Sequence, residues 1–358
     1  MFVPALTSAR GLAAWLIVAF HFREYLPEWG ILGQGYLAVD FFFELSGFVI
    51  ALNYLNIMGR PGPPARRIVS FLWLRLGRIY PLHVFVLCLM LANLAAIVLF
   101  SSSGAAGGRY DAGYFLLSLF LVQNWGLADQ LAWNVPAWSI SAEWAVYLLF
   151  PAAAWVLQRA RSVILGDLAA ILGLAMMLFL WCGWRDLDLR TAIVHDGIAR
   201  CAAEFGIGTF VFRIWNTCQT RGHQLRGDLA ALAAIGLVGI YRFLPVADDA
   251  IMPACFALLI YGLADSRSVI ARLLDNAPLR WVGLTSYSTY MIHYWVKDWV
   301  KILCVTHDGQ QIVPSVIYLV VTAVLSGLLY HAIEVPGRNW FRAPRVPFVD
   351  RPQPAVRA

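Results

Sequence analysis

Apolar residues fall in runs of about 16–23 positions, separated by short stretches rich in Gly, Pro, Arg and Trp. An α-helix rising 1.5 Å per residue needs about 20 such positions to cross a hydrocarbon core of about 30 Å. Ten runs approach that length: roughly 8–27, 34–55, 79–100, 138–158, 163–184, 197–217, 228–246, 250–265, 281–303 and 313–334. An eleventh, Tyr114 to Trp125, holds only about twelve residues and leads into Asp129, Gln130, Asn134 and Pro136. That length predicts a re-entrant or interfacial segment rather than a crossing. The expected fold class is therefore all-α: a polytopic membrane protein of about ten transmembrane helices with one short non-crossing segment. Residues 1–340 read as one transmembrane domain and 341–358 as a polar C-terminal tail, without an internal repeat. The run from Gly11 to Phe20 meets His21, Arg23 and Glu24 without a small-residue cleavage site, so no cleavable signal is expected.

Composition sharpens this picture. Of 358 residues, 60% are hydrophobic and 13% charged, whereas soluble domains are about half apolar and a quarter charged. A soluble enzyme of this length has no single core large enough for so many apolar side chains. The net charge of +6 is spread without a Lys/Arg run, so a nucleic-acid partner is not expected. The excess follows the positive-inside rule instead. With a cytoplasmic N-terminus and a non-crossing Tyr114–Trp125, about two thirds of the 27 Lys and Arg residues fall in inner segments. A crossing at Tyr114–Trp125 would move every later loop to the other side and weaken that bias. Both termini are thus expected in the cytoplasm. The six cysteines are scattered without a Cys-x-x-Cys, so neither a disulfide framework nor a metal site is indicated. Gly-x-Ser-x-Gly, phosphate-loop and His-Glu-x-x-His signatures do not occur.

Ionisable residues inside membrane spans are costly and mark candidate chemistry. Arg10 and His21, eleven residues apart, return to nearly the same helix face about 16 Å apart along the axis. Asp40 and Glu44 lie one turn apart on the next span, with Gly47 one turn further. A carboxylate beside an imidazole fixes its tautomer, so His21 reads as a general base oriented by Asp40. In the ninth expected span Ser286, Tyr290, His293 and Lys297 form a stripe. Arg75 and Arg78, three residues apart at the inner surface, suit bidentate phosphate contact or ordinary interfacial anchoring. Glu143 follows Trp138-Ser139 and shares a face with Tyr147. His83, His293 and His331 are equally readable as interhelical hydrogen-bonding groups. His293 and Asp298, five apart, fall on different helix faces, and Asp186-x-Asp188 is the spacing of metal-binding acids in membrane glycosyltransferases. Two further function classes therefore stay open: a proton-coupled transporter or flippase of a polar substrate, and a glycosyltransferase.

The pieces in order are Arg10-Gly11-Leu12-Ala13-Ala14 leading to His21; Val39-Asp40-Phe41-Phe42-Phe43-Glu44-Leu45-Ser46-Gly47-Phe48; Arg75-x-x-Arg78-Ile79-Tyr80-Pro81-Leu82; Gln123-Asn124-Trp125; Trp138-Ser139-Ile140-Ser141-Ala142-Glu143; Ser286 to His293; and Ile333-Glu334-x-Pro336. This ordered set resembles the membrane-bound acyltransferase 3 family over nearly the whole chain. The resemblance implies an acyl-CoA-dependent O-acyltransferase of the bacterial inner membrane. It would carry an acyl group, usually acetyl, from cytosolic acyl-CoA to a hydroxyl of a glycan, lipid-linked sugar or small acceptor, with acyl-CoA as cosubstrate and no bound cofactor. It implies essential roles for Arg10, His21 and Glu143, and CoA-phosphate binding by Arg75 and Arg78. Asp40 joins the catalytic candidates. Glu44, Ser46, Trp138, Tyr290 and His293 are the substrate-binding candidates. Glu44 stands where an apolar residue is usual, Trp144 where a second acid is frequent and His83 where Tyr is common, which puts the acceptor in question more than the activity. An esterase-like domain appended to some members is not expected in a chain of this length.

Overall fold

A computed structural model of the protein describes residues 3–27, 30–60, 64–100, 108–187, 189–221, 227–241, 252–307 and 309–343. Among these residues every regular element is helical. The helices are α1 (Pro4–His21), α2 (Ala38–Ile50), α3 (Asn56–Met58), α4 (Pro64–Phe100), α5 (Ala112–Leu119), α6 (Trp138–Arg159), α7 (Ile164–Arg185), α8 (Gly197–Arg221), α9 (Gly227–Tyr241), α10 (Met252–Ala264), α11 (Val269–Leu274), α12 (Ala277–Cys304), α13 (Ile312–Leu329) and α14 (Val335–Arg342). Each of the ten expected spans overlaps a helix, although α1 ends at His21 rather than at residue 27. The C-terminal residues from 344 lie outside the described residues.

Five stretches are long and apolar enough to cross a membrane: Gly30–Met58, Pro64–Leu99, Val135–Arg159, Ile164–Arg185 and Ile312–Arg342. On α7 the large side chains Leu165, Leu172, Leu180 and Trp184 are exposed, as on a helix that faces lipid. These features make the chain a multi-pass membrane protein. Helices α9 and α10 are apolar but shorter. Helices α1, α8 and α12 stand outside the apolar group because they turn polar side chains, among them Ser8, Arg200, Glu204, Ser286 and His293, into the bundle interior.

Two further boundaries differ from expectation. Helix α4 starts at Pro64, well before residue 79, so Arg75 and Arg78 sit about three turns inside the helix rather than at its opening. Its 37 residues span about 55 Å. That exceeds the hydrocarbon thickness, and helix bonding continues beyond it because backbone pairing does not require apolar side chains. Helix α5 is eight residues long, about 12 Å. The chain then reverses at Leu121, whose φ is 59°. Asn124 N–H donates to Ser141 Oγ at 3.1 Å and Trp125 Nε1–H to the Ser141 carbonyl at 3.2 Å. Gln123 donates to the Ala137 carbonyl at 3.0 Å. The short apolar segment therefore folds back against the start of α6 and fixes Trp138 and Ser139.

The bundle is organised by two close helix contacts. A Cβ on Gly283 would collide with the Thr7 carbonyl oxygen, and one on Gly11 would lie 2.6 Å from Gly283 N. Helices α1 and α12 thus touch backbone to backbone. They run parallel, because Arg10 meets Gly283 and Ser286 at one end and His21 meets His293 at the other. Gly47 and Gly208 do the same for α2 and α8, where added Cβ atoms would strike the carbonyls of Phe205 and Glu44. The space beside Gly47 is filled by backbone rather than left for a ligand.

Candidate active site

At one end of α1, His21 Nδ1 lies 3.0 Å from the Ile17 carbonyl oxygen and 3.3 Å from His293 Nε2. His293 Nδ1 lies 2.7 Å from the Tyr290 carbonyl oxygen. A carbonyl only accepts, so each imidazole carries its proton on Nδ1. His293 Nε2 then accepts from His21, and His21 Nε2 is left with a free lone pair. Residue His21 lines a cavity of ≈180 Å³ together with Phe20, Tyr36, Trp138, Arg200 and Tyr290. His293 is fully buried and stands behind His21.

Tyr290 also lines the next cavity, ≈160 Å³, which holds Ser46, Ser139, Glu143 and Tyr147. Glu143 Oε1 accepts from Ser46 Oγ and from Tyr147 OH, both at 2.5 Å. Tyr290 OH donates to the Pro136 carbonyl at 2.7 Å and lies 2.8 Å from Ser139 Oγ. Glu143 is therefore a fixed acid at the middle of the bundle.

A third cavity, ≈300 Å³, shares Arg10, Arg75 and Arg78 with the second and adds Tyr54, Arg338 and Arg342. Arg10 Nε–H donates to Ser286 Oγ at 2.9 Å and Nη2–H to the Gly283 carbonyl at 2.8 Å. Arg75 donates to Tyr54 OH at 3.2 Å. Arg78 pairs with Glu334, whose other oxygen accepts from Ser288 at 2.7 Å. Glu334 closes the π-helical turn Tyr330–Glu334, a local widening that recurs at functional sites. The three cavities thus succeed one another from an arginine-lined end, past Glu143, to His21.

Several expected positions need correction. Asp40 does not orient His21. It is fully buried against Arg200, which donates from Nε to Oδ1 at 2.8 Å and from Nη2 to Oδ2 at 2.7 Å. The side chain leaves α2 on the face packed against α8, so a guanidinium reaches it and the imidazole does not. Arg200, which falls within the expected span 197–217, is buried inside the bundle. Glu44, one turn from Asp40, also faces α8. It is fully buried, its carboxylate oxygens have no hydrogen-bond partner among the described residues, and it lines none of the three cavities. His293 holds His21 rather than a substrate. Arg10 lies about 16 Å from His21 by helix rise, so it belongs with the arginines and not with the imidazole. Ser46, Trp138 and Tyr290 line cavities.

The remaining candidates are structural or outside the described residues. His83 Nε2 bonds the Ser118 carbonyl at 2.8 Å. His331 is exposed. Asp298 pairs with Arg109, away from His293 as the helix spacing implies. Asp186 caps α7 in a left-handed conformation, and Asp188 lies outside the described residues. Sequence reading missed Arg200 with Glu204, although their i, i+4 spacing inside an expected span was visible. Arg338 and Arg342 were not among its site candidates.

Comparison with known proteins agrees with the ordered motifs. The family described as "Acyltransferase domain" matches residues 3–331. "O-acetyltransferase OatA" of Staphylococcus aureus (strain NCTC 8325 / PS 47) is 25% identical over 94% of this chain and 57% of its own length. "Putative peptidoglycan O-acetyltransferase YrhL" of Bacillus subtilis (strain 168) is 24% identical over 94% of this chain and 55% of its own. The chain therefore spans less than two thirds of these relatives. No solved structure resembles it closely enough to count as a match. The match over residues 3–331, together with the arginine and histidine motifs in place, means that the chain belongs to the acyltransferase 3 family.

Proposed function

We propose that the protein is an acyl-CoA-dependent O-acyltransferase that moves an acyl group, acetyl by preference, onto a hydroxyl of a cell-surface glycan. The observation that carries this reading is the set of contacts made by His21 Nδ1 beside a cavity. Its Nδ1–H is occupied by the Ile17 carbonyl and His293, which leaves Nε2 as the basic nitrogen at a cavity. The diphosphate of acyl-CoA binds at Arg10, Arg75 and Arg78, and the thioester reaches past Glu143 toward His21. The acceptor hydroxyl gives its proton to His21 Nε2 as its oxygen attacks the thioester carbonyl carbon. The tetrahedral intermediate collapses, the carbon–sulfur bond breaks, and the proton passes from Nε2 to the CoA sulfur. General-base help of this kind contributes about 10²–10⁴-fold. The name of one relative, a putative peptidoglycan O-acetyltransferase, favours a glycan acceptor.

Ten crossings with both termini in the cytoplasm of a bacterial inner membrane fit this scheme. The basic residues then lie mostly inside, and the parallel course of α1 and α12 requires an even number of reversals between them. The arginine-lined cavity then faces cytosolic acyl-CoA and His21 lies toward the outer half. The test is CoA release from labelled acetyl-CoA by protein purified in detergent, with and without a soluble glycan acceptor. Acceptor-stimulated release that His21→Ala abolishes is the expected result. Substantial turnover by a folded His21→Ala protein overturns the assignment.

A further inference from the structure

The cavity at the arginine-lined end holds more positive charge than the two arginines of the Arg-x-x-Arg pair. Five guanidiniums line it: Arg10, Arg75, Arg78, Arg338 and Arg342. One carboxylate answers them. Glu334 pairs with Arg78 and lies 3.9 Å from Arg338. Among the described residues Arg10 and Arg75 bond only uncharged groups, and Arg75 Nε is buried without a partner. Arg342 has no ion pair among the described residues and is exposed at the cavity edge.

Helix α14 is held firmly enough to present its two arginines. Trp73 Nε1–H donates to the Phe341 carbonyl at 3.0 Å, and the Trp73 ring packs 4.6 Å from Phe341 and 6.1 Å from Trp340. Arg338 and Arg342 are four residues apart, on one helix face.

The five arginines divide by position. Arg10, Arg75 and Arg78 line both this cavity and the one that leads toward His21. Arg338 and Arg342 line only the end cavity, further from the imidazole. A donor that points its thioester at His21 arranges its parts in a fixed order. The pantetheine arm comes first, then the 5′-diphosphate, and last the adenosine with its 3′-phosphate. The diphosphate therefore falls to the shared arginines. A phosphomonoester carries about −1.5 to −2 charges at pH 7, and guanidinium forks match its oxygens in pairs.

We propose that Arg338 and Arg342 bind the 3′-phosphate of the acyl-CoA donor, so that the protein selects the complete coenzyme over its dephospho form. This rests on the acyl-CoA reading above. The test compares acetyl-CoA with acetyl-dephospho-CoA as donors for the purified full chain, reading KM and kcat for each. The wild type is expected to show a KM at least about tenfold lower for acetyl-CoA. Arg342→Ala and Arg338→Ala are each expected to raise KM for acetyl-CoA and shrink that ratio toward one, with the change in KM rather than kcat. Arg338→Lys should keep part of the preference. Because Arg342 is exposed, its substitution keeps the result independent of folding. Equal KM values for the two donors in the wild type, or a ratio unchanged in both alanine variants, overturn the proposal. CoA release from neither donor instead removes the acyl-CoA reading, and this inference with it.

Discussion

At His21 the chemistry depends on which ring nitrogen is engaged. The Ile17 carbonyl lies one turn back on the same helix, so α1 itself fixes the tautomer, and His293 adds a second acceptor. His293→Ala should therefore lower kcat by roughly tenfold, well short of the loss in His21→Ala, since the carbonyl still orients the ring. Steady-state CoA release measures both. Asp40 serves a different purpose. Arg200 is 2% exposed and bonded to Asp40 through two nitrogens. Asp40→Asn removes the carboxylate that bonds Arg200 and leaves Glu204, 3.6 Å away, as its nearest acid, which costs up to about 3–5 kcal/mol. A fall in thermal stability in detergent, with the kcat of the remaining folded protein largely kept, is the expected outcome. An unchanged melting temperature with lost kcat would return Asp40 to the catalytic apparatus.

Among the elements, the α1–α12 pair matters most. The backbone contact at Gly11 and Gly283 places two polar connections at a spacing that no flexible loop would hold: Arg10 to Ser286 and His21 to His293. Gly283→Val drives a side chain into the Thr7 carbonyl. It should separate the helices and disturb both connections, lowering stability by about 1–3 kcal/mol and activity by more than the stability change alone explains. Gly236 on α9, where an added Cβ meets nothing within 4 Å, is the control site for the same substitution. Polar side chains also explain why α1, α8 and α12 look less membrane-like than α7 or α13. Their polar groups point into the interior, where Arg200 pairs with Asp40 and Arg10 with Ser286. The Gln123-Asn124-Trp125 motif acts at this scale as well, by bracing the start of α6.

For the whole molecule, orientation decides which substrate meets which cavity. Arg161, in the α6–α7 turn, and Arg185, at the far end of α7, are both exposed. In a background without native cysteines, Arg161→Cys should be labelled by a membrane-impermeant thiol reagent only after cell opening, and Arg185→Cys in intact cells. Labelling of both from one side would remove the proposed crossing of α7. Apolar run lengths alone located the helices, because burying about 20 consecutive apolar residues in lipid is a local property of the chain. The sequence likewise contained the Arg10–His21 stripe, since helical periodicity relates residues eleven apart. It also marked Tyr114–Trp125 as a short segment, and the helix there, α5, is eight residues long. Partnerships between distant helices were not legible in this way. Asp40 and His21 are close in sequence, but packing through Gly47 and Gly208 turns Asp40 toward α8 and Arg200. His293 meets His21 across 272 positions because α1 and α12 run in contact. Only the tertiary structure decided these pairings, because the rotation of each helix about its axis is set by which faces pack, and periodicity alone leaves that rotation free.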